Sequence, residues 1–325
     1  MAHYWHPSTV RIRSSVILAF LVLTACGKQA VTVPDVAPEE VLRRSAQASR
    51  NLRSAQYVLS GTFESDGDQK SVEGDVRIDG SLADAGKQVR FRTDFTSRFA
   101  GQSDGTSAID GSVEIVVMGD QEVYVNLGSL QLQPENNIIS PAILSKFAGR
   151  WWRLPSDAQE PVLTDVTPDP SLLRAQSEVV RVVNVRGPDR ISGRPAYHYD
   201  VTIDRAKFSA FLQEMAKTRG KSADYAQSVE DLNTLQTAGE MWIDAETFNL
   251  LKTSWNIQHL PLTAGSDRTY TARFTVELRN HNAAPDILPP EAAADFDPSL
   301  LLAPGLTDAQ SDLMIFDQNT LSVPR

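Results

Sequence analysis

Through the middle of the chain, apolar and polar residues alternate one by one. Tyr57, Leu59, Gly61 and Phe63 alternate with Val58, Ser60, Thr62 and Glu64. Val72, Gly74, Val76 and Ile78 alternate with Glu73, Asp75, Arg77 and Asp79, and Val89, Phe91, Thr93 and Phe95 with Arg90, Arg92 and Asp94. A period of two with one wet face predicts half-buried strands. Ser65-Asp66-Gly67-Asp68 and the Gly80–Gly86 stretch supply turns between them. Val113–Val117 and Val123–Leu127 extend the series and are predicted to form a hairpin across Gly119-Asp120. Short strands with turn signals between them predict one continuous antiparallel meander.

Helical spacing frames this meander. Pro38, Glu39 and Glu40 suit a helix start, and Val41, Leu42, Ser45, Ala46, Ala48, Ser49 and Leu52 give a modest face of mostly small residues. A short helix is predicted at Ala142–Phe147, ended by Gly149, then Trp151-Trp152, a Pro-rich loop through Pro170 and a helical turn at 171–177. Strands follow at Val179–Val185 and Ala196–Asp204, with turns at Gly187-Pro188-Asp189 and Ser192-Gly193-Arg194-Pro195 between them. Tyr197, Tyr199, Val201 and Ile203 point inward in the second of these, and His198, Asp200 and Thr202 outward. A helix is predicted at Arg205–Thr218, with Phe208, Phe211, Leu212 and Met215 on one face, and a more polar one at Ala223–Leu235. Strands resume at Gly239–Asp244, Leu250–His259 and Tyr270–Leu278. Beyond Asn280 the chain turns rich in Pro, Ala and Asp, so residues 283–325 read as a largely irregular extension with one short helix near Asp308–Phe316.

Composition narrows the function classes. Of 325 residues, 41 % are hydrophobic, enough for a real core, and the formal charge is −10, which disfavours nucleic acid. The apolar run Val16–Cys26 follows Arg11 and Arg13 and precedes the first acid, Asp35. A positive flank, a short apolar core and a small-residue exit make a secretory signal; a spanning helix needs about 20 apolar residues. Cys26 is the one cysteine, so no disulfide framework is available.

Leu23-Thr24-Ala25-Cys26 resembles the lipobox of bacterial lipoproteins. That resemblance implies cleavage before Cys26, acylation of its thiol and anchorage to a membrane, leaving an acidic body of formal charge −12 once the two arginines are gone. Gly27 follows the cysteine, so an Asp-type inner-membrane retention signal is absent; the expected place is the outer membrane of a two-membraned cell or the outer face of a single plasma membrane. Residues 26–38, with Pro34 and Pro38, read as a flexible tether.

A second resemblance covers about residues 40–282. Leu42–Phe63, Gly193-Arg-Pro-Ala-Tyr-His-Tyr-Asp-Val-Thr-Ile-Asp204 and Gly239-Glu-Met-Trp-Ile-Asp-Ala-Glu-Thr-Phe248 look like the LolA/LolB-like and LppX/LprG-like lipoproteins of bacterial envelopes. The resemblance implies a mainly β (α+β) domain at 39–282: a strongly curved antiparallel sheet, an open half-barrel, with helices packed on its concave face. It also implies non-covalent binding of a lipid or acyl chain between sheet and helices, with no cofactor, for transport or envelope assembly, and another envelope protein as a further partner. Candidate cavity residues are Phe91, Phe95, Val125, Tyr199, Phe211 and Phe274, with Trp151 and Trp152 as guards of a mouth or contacts to a membrane surface. The residues alone leave open a filled core, which would make the protein a tethered interaction or assembly module.

Enzyme chemistry finds little support. Gly101-Gln-Ser-Asp-Gly105 matches G-x-S-x-G, which would make Ser103 a hydrolase nucleophile, but the elbow needs a helix after it and here a strand is predicted. His198, His259 and His281 are not at metal-ligand spacing, and Asp66-Gly-Asp68 lacks the later ligands of a calcium loop. The expectation is a protein that is not an enzyme and holds no metal.

Overall fold

The computed structural model describes residues 31–66, 70–101, 105–119, 122–133, 145–155, 178–218, 235–261 and 269–297. Met1–Thr32 and Val33–Arg325 form separate units, and the elements below belong to the second. The described strands are β1 (Ala55–Asp66), β2 (Lys70–Ala83), β3 (Gln88–Gly101), β4 (Gly105–Met118), β5 (Glu122–Gln133) and β6 (Trp151–Arg153) in the first half. The second half gives β7 (Val180–Ile191), β8 (Arg194–Ile203), β9 (Gln236–Asp244), β10 (Leu250–Pro261), β11 (Thr269–Arg279) and β12 (Ala294–Asp295). Two described helices are α1 (Pro38–Arg50) and α2 (Arg205–Thr218).

All the strands join one sheet in the order β12-β6-β5-β4-β3-β2-β1-β11-β10-β9-β8-β7. It is large, curved and unclosed, with β12 and β7 as its edges. Neighbours are antiparallel throughout, except β12, which runs parallel to β6. Chain order and sheet order agree because hairpins build each half, and β1 and β11 close the gap between the halves with Tyr57 opposite Leu278 and Phe63 opposite Ala272.

Register puts the predicted apolar positions on one face. Leu59 stands between Val276 and Ile78, and Phe91 between Gly80 and Ile115, with Val125 next to Ile115 and Trp152 next to Val125. The opposite face carries cross-strand ion pairs such as Arg90–Glu114 at 2.6 Å and Arg273–Glu64 at 3.2 Å. Exposed pairs of this kind stabilise by ~1 kcal/mol at most and mainly keep that face wet.

Aromatic residues on the apolar face recur opposite glycines. Tyr57 pairs with Gly80, Phe63 with Gly74, Phe95 with Gly111 and Trp255 with Gly239. In each pair the ring lies over the glycine, so a Cβ there would meet it at 2.4 to 2.7 Å. Rings laid flat on glycines keep large side chains close to the backbone, and glycines let a sheet bend sharply.

Helix α1 seals one end of this face. Pro38 starts it, Glu39 and Glu40 occupy its first turn and Arg50 its last, as the macrodipole favours. Val41, Leu42, Ser45, Ala46 and Ser49 are buried, and these small side chains let the helix sit close to the strands. Val41 and Leu42 share a cluster with Tyr57, Leu82, Val89, Tyr199 and Met241. Val33 and Val36 pack there too, and the Tyr197 hydroxyl donates to the Pro34 carbonyl at 3.0 Å.

Residues 283–297 run on over the sheet. Ile287 is buried against Val116 and Tyr124 on the polar side, β12 pairs with β6, and Phe296 stacks edge-on with Trp152.

Two turn expectations are corrected. Gly187-Pro188-Asp189 is no turn: β7 continues through it, with irregular register beside Val185/Gly187 and Gly187 at φ +100°. The long ladder with β8 overrides the local turn chemistry, and the chain reverses only at Ser192-Gly193, both at positive φ. Likewise Gly80 lies inside β2, and the reversal is the short 3-10 turn Asp84–Gly86. Residues 223–234 of the predicted helix Ala223–Leu235 and the whole of Asp308–Phe316 lie outside the described residues, as do the helical turn at 171–177 and residues 142–144 of the helix before Gly149.

The β9–β10 turn depends on Asp244. Buried, it accepts hydrogen bonds from the Glu246 and Thr247 amides and the Thr247 hydroxyl at 2.7 to 3.0 Å, and pairs with Arg194 at 2.6 Å. Burial pushes its pKa up, but the Thr247 and Glu246 donors and the Arg194 charge outweigh that and hold it below the usual carboxylate value.

Two predictions follow from this construction. Gly80→Ala drives a methyl into the Tyr57 ring and is expected to cost ~1–3 kcal/mol in urea unfolding. Adding Tyr57→Ala gives a coupling above ~0.5 kcal/mol, because the second change removes the clash. The depressed pKa of Asp244 means that its stabilisation is complete above about pH 4 and is lost as pH falls through the folded pKa. Asp244→Asn is expected to lower the melting temperature at pH 7 and to flatten its acid dependence, read by circular dichroism.

Candidate functional site

The apolar face is unevenly buried. At the α1 end, where β1 begins and β2 ends, Ala55, Tyr57, Leu82, Val89 and Phe91 are buried. Towards the other end, Phe63, Val72, Val76, Phe95, Ile109, Leu130, Leu132 and Phe274 are only half-buried, and Phe99 is 36 % exposed. The alternation runs unbroken through β1 to β3, and the irregularity at Ser112/Val113 brings Leu130 and Leu132 of β5 to the same face as Val125, so this is one apolar floor, closed at one end and accessible at the other. Flat rings on Gly74 and Gly111 keep that floor low where it is accessible.

Besides Trp152, five of the sequence-predicted residues share this face. Phe91 is buried beside Gly80, Tyr199 is buried opposite Met241, and Phe95, Val125 and Phe274 are half-buried. Phe211 reaches the same cluster from α2, together with Phe208. The two tryptophans part company. Trp152 is buried among Phe147 and Phe296 and donates its indole N–H to the Phe147 carbonyl at 3.0 Å. Trp151 points to the opposite face, packing with Val116, Tyr124 and Ile287. Adjacent residues of one strand face opposite ways, so they cannot guard one mouth together. Val76, Ile109, Leu130 and Leu132 of the accessible floor were not among the cavity candidates; Val76 and Ile109 are in phase with the apolar residues of their own strands, whereas Leu130 and Leu132 follow a change of phase at the Ser112/Val113 irregularity.

Cys26 and Ser103 lie outside the described residues. Gly101 and Gly105 pair with each other as the last and first residues of β3 and β4, so the G-x-S-x-G stretch joins two strands and lacks the following helix of an elbow. Among the described residues no His, Cys, Asp and Glu side chains group as metal ligands. No described helix is long and apolar enough to cross a membrane.

The three histidines among the described residues have local surroundings. His198 stacks on Trp242 at 4.3 Å and bonds Glu240 at 2.8 Å. Nε2 of His281 bonds the Leu250 carbonyl, and burial pushes its pKa down. His259 sits in β10 at φ +57°.

Two clefts open elsewhere. One of about 670 Å³ lies by β7–β11 and is lined largely by polar side chains, Arg186, Asp200, Glu240, Asn256 and Arg273 among them. The other, of about 380 Å³, lies between α1, β7 and the start of α2, with Leu42, Ala46, Val180 and Val182 among its lining residues.

No protein-family model matches the chain, and no curated protein matches it in sequence. Among solved structures it is similar to LprF from Mycobacterium bovis, at 14 % identity over 81 % of this chain and 100 % of that one, with a TM-score of 0.39. It is similar to the lipoprotein LppX from Mycobacterium tuberculosis at 12 % identity over 78 % of this chain and 100 % of that one, TM-score 0.32. A LolA-superfamily protein from Nitrosomonas europaea matches at 7 % identity over 78 % and 96 % of the two chains, TM-score 0.19. These are the kinds of protein that the sequence resemblance named. At such TM-scores the likeness carries no argument about this chain's activity, which rests on its own residues.

Proposed function

We propose that this protein is an envelope lipoprotein that binds a lipid or acyl chain non-covalently on the accessible half of its apolar face, for transport or envelope assembly. The observation that carries the reading is the half-buried floor of Val76, Phe95, Ile109, Leu130 and Phe274, continuous with a sealed core. In this reading the floor is the concave side of the sheet and the helices cover it, so the chain lies between sheet and helices. Each methylene moved from water onto such a surface contributes about 0.8 kcal/mol. A dozen of them give on the order of 10 kcal/mol, which exceeds the ~4 kcal/mol minimum cost of association. No bond is made or broken, so the protein acts as a carrier and not as an enzyme. Acylated Cys26 anchors it to the membrane, and the tether lets the body reach lipid or another envelope protein.

A second reading, a tethered assembly module with a filled core, draws on the tight packing at the α1 end, where Tyr199, Met241 and Ile243 are almost wholly buried. Organic extraction and native mass spectrometry of residues 27–325, purified from a bacterial host, separate the two. The carrier reading predicts about one lipid per protein and uptake of a fluorescent fatty acid, weakened roughly tenfold or more in Ile109→Glu, because a carboxylate on the floor must be desolvated. A lipid-free protein that takes up no fatty acid contradicts it and favours the module.

A further inference from the structure

Buried tyrosine hydroxyls normally find a hydrogen-bond partner, and Tyr197 finds one in the Pro34 carbonyl at 3.0 Å. Tyr57 is 5 % exposed, and its Oη is buried with no hydrogen-bond partner among the described residues. Burial pushes its pKa up, and no charged group contributes to that shift. A polar atom held in this way is costly, and packing does not require it, since phenylalanine has the same ring.

The ring carries this hydroxyl from β1 towards the middle of the apolar face. It lies across Gly80 of β2, so that a Cβ on Gly80 would stand 2.5 Å from Oη and 2.9 Å from the Phe91 Cβ of β3. The next row towards the accessible floor is Leu59, Ile78 and Thr93, paired in that order across β1, β2 and β3, and all three are half-buried. Val76 and Phe95 form the row after that. The hydroxyl thus stands at the border between the sealed core and the accessible floor. Ile115, in the same row as Phe91, is six residues from Ile109, a run of about 20 Å that suits a long acyl chain.

We propose that Tyr57 positions the bound lipid: its hydroxyl donates to the carbonyl oxygen of an acyl ester, and the chain runs from there over Ile78, Val76 and Phe95 towards Ile109. The inference rests on the acyl-binding function proposed above and adds a positioning residue and the class of lipid it selects, a neutral ester. An ester carbonyl accepts the hydrogen bond and needs no counter-charge. An ionised carboxylate at the same place would have to be desolvated with no cation beside it. An alkyl ether lacks the carbonyl. Entry of the ester needs Leu59 and Ile78 to change rotamer, which half-buried aliphatic side chains can do.

The test is calorimetric titration of delipidated residues 27–325, and of the Tyr57→Phe variant, with a monoacylglycerol and with its alkyl-ether analogue of the same chain length. The ester is expected to bind roughly fivefold more tightly than the ether, and the substitution to abolish that difference while leaving ether binding unchanged. Carbon-13 labelling of the ester carbonyl gives a second reading: its infrared stretch is expected at lower frequency on the unmodified protein than on Tyr57→Phe. Ligand-free Tyr57→Phe is expected to melt at the same temperature or higher, because it buries one polar atom fewer. Equal affinity for ester and ether in the unmodified protein overturns the anchor and leaves the carrier function standing. So does a preference or a carbonyl shift that survives the substitution. A ligand-free variant that melts lower overturns it too, because the hydroxyl is then satisfied by water or by the protein itself. Binding of neither lipid overturns the carrier function, and the anchor with it.

Discussion

The fold depends on large rings finding room against a bending backbone. Tyr57, Phe63, Phe95 and Trp255 each lie across a glycine on the neighbouring strand, where any Cβ would collide with the ring. A ring standing upright would fill the space above the sheet; a ring laid on a glycine covers backbone and leaves that space to something else. The same glycines relieve crowding on the inside of a curve, so curvature and a low apolar floor come from one pairing. The even registers of β1 to β3 preserve it, because a slip of one residue would send every ring to the wet face.

Helix α1 then divides the floor into a structural part and an accessible part. Its buried stripe of Val41, Leu42, Ser45, Ala46 and Ser49 is short and small, so it packs tightly over one end and reaches no further. The sealed end supplies much of the hydrophobic stabilisation, while the other end keeps apolar surface half in water. A protein that only needed to be stable would gain by covering that surface as well. Leaving it accessible is costly, and the carrier reading gives that cost a purpose.

Much of this was legible in the chain. Strict alternation in β1, β2, β3 and β11 identified the strands and their apolar faces, and Pro38-Glu39-Glu40 marked the start of α1. The reversal at Ser192-Gly193 followed from turn chemistry. Other features depend on register, which one sequence does not carry. Ring-on-glycine pairing needs to know that position 57 meets position 80, and nothing local says so. The polar start of β4, Gly105–Ala108, lacks an apolar period and is held in the sheet by its partners. Three-residue β6 and two-residue β12 are too short for any period, and β12 is placed by long-range pairing. Gly187-Pro188-Asp189 has the composition of a turn but lies within a ladder. Of the candidate site, Val72 and Val76, in phase with the other apolar residues of β2, were recoverable, and so was the split between Trp151 and Trp152, which follows from strand alternation; the place of Leu130 and Leu132 was not, because it depends on the irregular register at Ser112/Val113.

The central claim is that one face of the sheet, at its accessible end, carries the ligand. Photo-crosslinking of residues 27–325 with a diazirine-bearing fatty acid, mapped by peptide mass spectrometry, tests it most directly. The account predicts adducts on floor residues such as Val76, Phe95, Ile109 and Leu130, and none on Arg77 or Thr96, their neighbours on the other face. Adducts spread over both faces, or confined to the wet face, would contradict it.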